Sequence, residues 1–133
     1  MNLYRLSTII KEKEVINLQK LSEDLKEQYF IGKENKLSTE HLMENKENII
    51  IIGFGQSMTP ILKSGQPCII EPITEETNLS KNDIVFCKVN GHYYLHKITA
   101  IKNKNSYQIS NNHGHVNGWI SIKNIYGKMI KKL

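Results

Sequence analysis

Ser57 lies in a stretch whose residue types suit a nucleophile held at an exposed bend. A β-branched run over 49–52 precedes Gly53 and Gly55, and both glycines permit a sharp change of backbone direction. Backbone N–H groups at such a bend can face a developing oxyanion, and a serine hydroxyl attacks a carbonyl once a base takes its proton. The competing interpretation is an ordinary strand–turn connection in which Ser57 is a cap, because serine and glycine are the usual turn residues.

Two histidines raise the question of a metal site. His113 and His115 stand two positions apart, so both can face one side of an extended segment and bind a metal together with His92 or His96. No fourth ligand of suitable type is evident, and we expect neither a metal nor another cofactor. We expect the Trp119 ring to pack in the core or against a loop, with its indole N–H bonded to the backbone. The functional alternative is that Trp119 forms part of the wall of a peptide groove.

The second part of the chain has the pattern of short strands joined by turns, and Asn48 is where it begins. Asn90-Gly91 is a strong signal for a two-residue hairpin, and Lys104-Asn105 fits the next turn. Pro67 and Pro72 bracket a strand that we expect at a sheet edge. The predicted strands are 48–54, 67–72, 83–89, 92–101, 106–110 and 124–130, with a compact loop over 111–119.

The first part of the chain has apolar residues at roughly helical spacing. This pattern predicts helix over 3–31 and a short helical turn near 38–44. We therefore divide the chain into a helical N-terminal extension, 1–46, and a mostly β domain, 47–133. Near-neutral charge and a single arginine make DNA reading by this extension a weak hypothesis, and we expect it to pack against the β domain or a partner.

Length and charge set the outer limits of the interpretation. The 133 residues suit one compact domain with an appendage, and the net charge is +5. No acidic residue follows Asp83. This asymmetry of charge either marks a surface for nucleic acid or an acidic protein, or keeps a small β domain in solution, and we favour the second interpretation. No apolar run is long enough to span a membrane and no secretory signal is evident, so we expect a soluble, cytoplasmic protein. We expect Cys68 and Cys87 to be buried thiols rather than a disulfide.

The order of these motifs resembles the signal peptidase I and LexA-like serine peptidase superfamily (S24/S26). The resemblance covers roughly 48–130. The stretch over 111–119 is also faintly similar to short soluble members of this superfamily that phages encode. It implies a coiled β-ribbon domain. The matching segments are Gly55-Gln56-Ser57-Met58-Thr59-Pro60 with Leu62 and Gly65, Lys81-Asn82-Asp83-Ile84-Val85-Phe86, Tyr94-Leu95-His96-Lys97-Ile98, Ser110-Asn111-Asn112 and Ile125-Tyr126-Gly127-Lys128.

The resemblance also implies a site. It places His96 as the base for Ser57, with the backbone N–H groups of Ser57 and Met58 as the oxyanion hole. Lys97 would point to the opposite face of an extended strand and be solvated. Asn111, Asn112 and Asn117 are the candidates that orient the base, and Met58, Ile61 and Trp119 are the candidate lining of a substrate groove.

One departure from the family pattern concerns charge. Members that use histidine usually have aspartates downstream, whereas this chain offers only asparagines there. Asparagine orients an imidazole but cannot neutralise an imidazolium. We therefore expect either a slow, specialised peptidase or a fold retained without activity.

Three functions follow from these patterns. The first is a soluble serine endopeptidase, or a self-processing protein, that cleaves an extended peptide segment with Ser57 and His96. The second is a catalytically inactive phage or mobile-element protein that uses the fold as a structural or protein-binding module, homo-oligomeric or virion-associated. The third is a repressor-like DNA-binding regulator, against which the absence of an Ala-Gly dipeptide between Leu37 and Ile49 argues.

Overall fold

A computed structural model of the chain describes residues 2–6, 30–33 and 42–133. Within these residues all nine strands join one antiparallel sheet in the order β2-β1-β3-β4-β9-β5-β6-β7-β8. The strands are β1 (Asn2–Leu6), β2 (Phe30–Lys33), β3 (Ile49–Phe54), β4 (Pro67–Pro72), β5 (Ile84–Val89), β6 (His92–Lys102), β7 (Ser106–Ser110), β8 (Val116–Ser121) and β9 (Ile125–Lys132). A 3-10 turn, Ile122–Asn124, joins β8 to β9, and residues 42–45 are helical.

The sheet buries apolar side chains on both of its faces. Strand β5 shows this alternation, because Phe86 packs in one cluster while Val85 and Cys87 pack in another. The first cluster also contains the fully buried Leu42 and Met58, together with Ile49 and Ile51 of β3 and Ile70 of β4. Burial on both faces explains why β5 is apolar at nearly every position rather than at every second one.

The hairpin between β5 and β6 fixes which residues of β6 face which cluster. Asn90 and Gly91 both have positive φ, 49° and 82°, as a type I′ turn requires. The register that follows pairs Val85 with His96. The nine-stranded sheet confirms the predicted mostly β fold. Six predicted strands agree with β3–β7 and β9 to within two residues at each end: 48–54, 67–72, 83–89, 92–101, 106–110 and 124–130.

The helix predicted over 3–31 is wrong at both of its described ends. Residues 3–6 and 30–31 lie in β1 and β2, because β1 finds backbone partners in both β2 and β3. Such pairing overrides a local helical period. The predicted helix over 7–29 lies outside the described residues. Of the helical turn predicted over 38–44, only 42–44 are described, and these are helical. The division of the chain at 46/47 stays a prediction.

Two further expectations are corrected. Strand β4 is not at an edge, since it pairs with β3 on one side and β9 on the other. Pro67 and Pro72 are tolerated there because they are its first and last residues, where a missing N–H interrupts the fewest ladder bonds. The loop expected over 111–119 is shorter than predicted, because residues from Val116 onward form β8 along β7.

Candidate active site

The segment that carries Ser57 is a tight turn fixed at both ends. It leaves β3 at Gly55, which has a φ of 132° and donates its N–H to Ser64 Oγ at 2.9 Å. The return of the chain is closed by a hydrogen bond from Gly65 N to Gly53 O at 2.7 Å. Inside the turn, Leu62 N donates to Met58 O at 2.9 Å. These bonds fix the half-buried Ser57 just after the end of β3, although Ser57 itself lies in a turn and not in a helix or strand.

The side chains of Ser57 and His96 meet. Ser57 Oγ lies 3.3 Å from His96 Nε2, across 39 residues of sequence. The histidine comes from the middle of β6 and is only 3% exposed. This distance is at the long end of hydrogen bonding, which is usual for a nucleophile and base before substrate binds.

Asn117 stands behind the imidazole. Its Oδ1 lies 2.7 Å from His96 Nδ1 and accepts a hydrogen bond from the ring when that nitrogen carries the proton. An amide oxygen can only accept, so with Oδ1 facing the ring the contact favours the tautomer with a proton on Nδ1. In that tautomer Nε2 has a free lone pair directed at the hydroxyl of Ser57.

Burial keeps the imidazole neutral. Desolvation of His96 lowers its pKa below the ordinary 6.5, and the hydrogen bond to Asn117 opposes this shift only in part. The ring of Tyr94 lies against it, with 4.8 Å between the two ring centroids. A neutral imidazole at pH 7 is the form that can accept a proton.

The backbone around Ser57 has two amides available for an anion. Within the described residues, no acceptor lies in hydrogen-bond geometry with the N–H of Ser57 or of Met58. Their carbonyls, in contrast, are occupied: Ser57 O accepts from Asn112 N at 2.8 Å. Two adjacent amides without an acceptor in the described part of the chain, next to a serine hydroxyl, suit the binding of an oxyanion.

The three candidate orienting asparagines are placed differently. Asn117 contacts His96, whereas neither of the others does. Asn111 Oδ1 accepts hydrogen bonds from the N–H groups of His113 and His115 and so shapes the loop between β7 and β8. Asn112 Nδ2 donates to Thr59 O at 2.9 Å.

Of the three candidate groove residues, Met58 and Ile61 share the first cluster, whereas Trp119 belongs to neither cluster. Met58 is fully buried in the first cluster, and Ile61 packs against that cluster half-buried. Trp119 is 43% exposed, and Lys102 Nζ lies 5.3 Å from its ring centroid. The structure does not bring these three side chains together into one groove beside Ser57.

Trp119 in fact lies on the other face of the sheet from His96. Its neighbour Ile120 packs in the second cluster, which also holds Tyr94 and Ile98, two residues to either side of His96 on β6. The register from Gly118 to Ile120 is regular, so alternation directs Trp119 away from that cluster. The register shift opposite Ile109 and Ser110 interrupts the alternation at Asn117, which contacts His96.

Sequence reasoning missed two contributors to the Ser57 segment. Lys97, expected to be solvated, donates from Nζ to Asn112 Oδ1 at 3.0 Å. His113, considered there only as a metal ligand, has its Nε2 2.9 Å from Gln56 O and 3.2 Å from Thr59 Oγ1. Alternation correctly placed Lys97 opposite His96, but no spacing rule indicates which loop it meets.

Two other observations limit the kinds of site present. Among the described residues, no group of three histidine, cysteine or carboxylate side chains is close enough together to hold a metal ion. A search of the same part of the chain for a membrane-spanning helix found no helix that is sufficiently long and apolar.

Comparison with known proteins gives one match. The family model described as Peptidase S24-like matches residues 19–130 of this chain. No curated protein and no solved structure matched it. Because the family model covers most of the chain, including the Ser57 segment, β6 and the loop that carries Asn112, the protein belongs to the Peptidase S24-like family.

Proposed function

We propose that this protein is a serine endopeptidase in which Ser57 is the nucleophile and His96 the general base. The observation that carries the proposal is the 3.3 Å contact between Ser57 Oγ and His96 Nε2. Asn117 supports it by favouring the tautomer in which Nε2 accepts a proton.

The proposed reaction is acyl transfer through Ser57. His96 Nε2 takes the hydroxyl proton as Oγ attacks the scissile carbonyl carbon, and the resulting oxyanion is held by the N–H groups of Ser57 and Met58. His96 then gives the proton to the leaving amine, and the C–N bond breaks. A water molecule, deprotonated by the same nitrogen, attacks the acyl-enzyme and restores Ser57.

The substrate we propose is an extended peptide segment. Met58 is buried and Trp119 lies on the other face, so neither supports the groove that the resemblance implies. Ile61, four positions after Ser57 in the sequence, is half-buried against the first cluster and remains the candidate side chain for contact with substrate. Affinity would then come mainly from main-chain hydrogen bonds, as it does where a peptide adds to a sheet as a further strand.

Labelling with a fluorophosphonate probe tests the proposal. Attack by Ser57 Oγ on phosphorus would release fluoride and leave a covalent adduct, which peptide mass spectrometry assigns to one residue. The matched controls are Ser57→Ala and Ser80→Ala, the second removing an exposed hydroxyl far along the chain. We expect an adduct on Ser57 in wild type and in Ser80→Ala but none in Ser57→Ala. Equal labelling of wild type and Ser57→Ala would refute the proposal.

The missing carboxylate favours a second candidate, a binding module without catalysis. In the described part of the chain only Asn117 contacts Nδ1, so an imidazolium formed during catalysis has no counter-charge there. A module of this kind would remain unlabelled by the probe. Its stable assembly with itself or a partner, measured by light scattering, would be unchanged by Ser57→Ala.

A further inference from the structure

Two consecutive residues of β6 contribute to holding the segment that carries Ser57, one directly and one through Asn112. His96 reaches Ser57 Oγ from one face of the strand. Lys97 leaves the opposite face and donates to Asn112 Oδ1 at 3.0 Å. The same carboxamide donates through Nδ2 to Thr59 O at 2.9 Å, two residues beyond Ser57.

The backbone of Asn112 completes the connection. Its N–H donates to Ser57 O at 2.8 Å, so this residue binds the carbonyl of the nucleophile itself as well as that of Thr59. His113, next in sequence, adds a contact of 2.9 Å between its Nε2 and Gln56 O. Three carbonyls of the turn are therefore held by one short loop.

The ammonium of Lys97 fixes the orientation of the Asn112 carboxamide. An ammonium can only donate, so it selects the amide oxygen and leaves Nδ2 facing Thr59 O. Lys97 is half-buried, which strengthens a bond with a charged donor compared with one in open solvent. Without this donor, nothing else in the described residues is shown to bind Asn112 Oδ1.

We propose that Lys97 and Asn112 are positioning residues that set the Ser57 hydroxyl at the imidazole of His96. This inference rests on the proposed function. Neither side chain touches the reacting atoms; both act through the backbone of the turn. A shift of the turn by about 1 Å is enough to cost on the order of 100-fold in rate when a nucleophile must meet a base.

The test compares three variants at β6. Lys97→Met keeps the length of the side chain and removes the donor, whereas Lys97→Arg restores a cationic donor. Lys102→Met is the matched control, because it removes an ammonium from the same strand that lies over the Trp119 ring instead. We expect the second-order rate of fluorophosphonate labelling to fall about 10- to 100-fold in Lys97→Met. It should recover most of its value in Lys97→Arg and be unchanged in Lys102→Met, with similar melting temperatures throughout.

A second measurement does not depend on activity. Amide hydrogen exchange over 56–62 reports the order of the turn directly, through the protected N–H groups of Thr59 and Leu62. Exchange there should rise about 5- to 10-fold in Lys97→Met and in Asn112→Ala, since each loses a hydrogen bond that holds the turn, and should stay unchanged in Lys102→Met.

The two readouts separate the two proposals. If wild type shows no adduct on Ser57 but exchange over 56–62 rises in both variants, the peptidase proposal fails and the positioning of the turn is supported. If labelling and exchange in Lys97→Met and Asn112→Ala both equal those of wild type, the positioning role is overturned. Should Lys97→Met fail to fold, the comparison of Asn112→Ala with wild type decides in the same way.

Discussion

Asn117 Oδ1 lies 2.7 Å from His96 Nδ1, so an amide occupies the place where a carboxylate would counter the charge of an imidazolium. The amide still selects the tautomer and fixes the ring plane. What it lacks is the negative charge that becomes valuable once His96 holds the proton of Ser57.

Asn117→Asp should accelerate the attack by Ser57. A carboxylate at this distance stabilises the imidazolium. Hydrogen bonds to charged groups contribute about 1.5–3 kcal/mol against about 0.5–1.5 kcal/mol for neutral ones, and the difference of about 1–1.5 kcal/mol corresponds to about 5- to 10-fold in the labelling rate. Asn117→Leu has nearly the same volume but offers no acceptor, and its labelling should be slower than that of wild type. The second-order rate constant with a fluorophosphonate measures both, and a slower Asn117→Asp protein with an unchanged melting temperature would contradict the role of Asn117.

The labelling rate should rise with pH through a midpoint below 6.5. Burial lowers the pKa of His96 below that ordinary value, so the neutral base persists into more acidic solution than an exposed histidine would allow. A rate profile between pH 4.5 and 8 measures the midpoint. In Asn117→Asp the midpoint should move upward, because the carboxylate favours the protonated ring. A wild-type midpoint above 6.5 would show that the imidazole is not desolvated as the structure has it.

The same pKa shift predicts a loss of stability in acid. With its folded pKa lowered, His96 binds fewer protons in the native protein than in the unfolded chain. Its contribution to the free energy of unfolding is therefore complete above pH 6.5 and falls as the pH drops from there toward the folded pKa. Melting temperatures at pH 7.5 and 5.5 should differ less in His96→Gln than in wild type. His92→Gln, an exposed histidine of the same strand, should behave as wild type.

Both thiols should resist modification in the folded protein. Cys68 and Cys87 are buried without a disulfide, and burial raises the pKa of each to about 12. Neither offers thiolate at neutral pH. An aromatic disulfide reagent should therefore react with two thiols per chain in guanidinium chloride and with almost none in native buffer. Rapid reaction in native buffer would mean that one of the two strands opens readily.

Trp119→Phe should leave the labelling of Ser57 unchanged. The indole lies on the face of β8 opposite that of Ile120 and stacks under the Lys102 ammonium, an exposed contact that contributes on the order of 0.5–1 kcal/mol. A small fall in the melting temperature is the expected cost. A labelling rate that drops tenfold would instead place Trp119 within reach of the site, as the groove hypothesis had it.

The β hairpins were predictable because their residues carry the information locally. Asn90-Gly91 forces the turn, and the alternation on either side of it settles which face His96 takes. Sequence reasoning also brought Ser57 and His96 together, though only through a family resemblance. The number of residues between Ser57 and His96 in the sequence does not indicate how far apart their side chains lie in the fold.

The elements that escaped prediction depend on partners far away in the chain. Strand β8 contains asparagine and glycine, which disfavour strands, and forms because β7 offers it a ladder. Strand β1 is too short for its sequence to show the alternation typical of a strand. It forms a strand because its backbone pairs with β2 and β3. The bond from Lys97 to Asn112 likewise joins a strand to a loop, and only the complete fold makes it visible.

Strand β9 contributes no residue to the proposed site, but it connects the two halves of the sheet that carry the site. Ser57 follows a strand of the half of the sheet built from β1 to β4, and His96 lies in the half built from β5 to β8. Among the described strands, β9 is the one that pairs with both halves. If β9 loses either ladder, Ser57 and His96 belong to separate sheets. On the proposed function, hydrolysis would therefore require that β9 is paired with both β4 and β5.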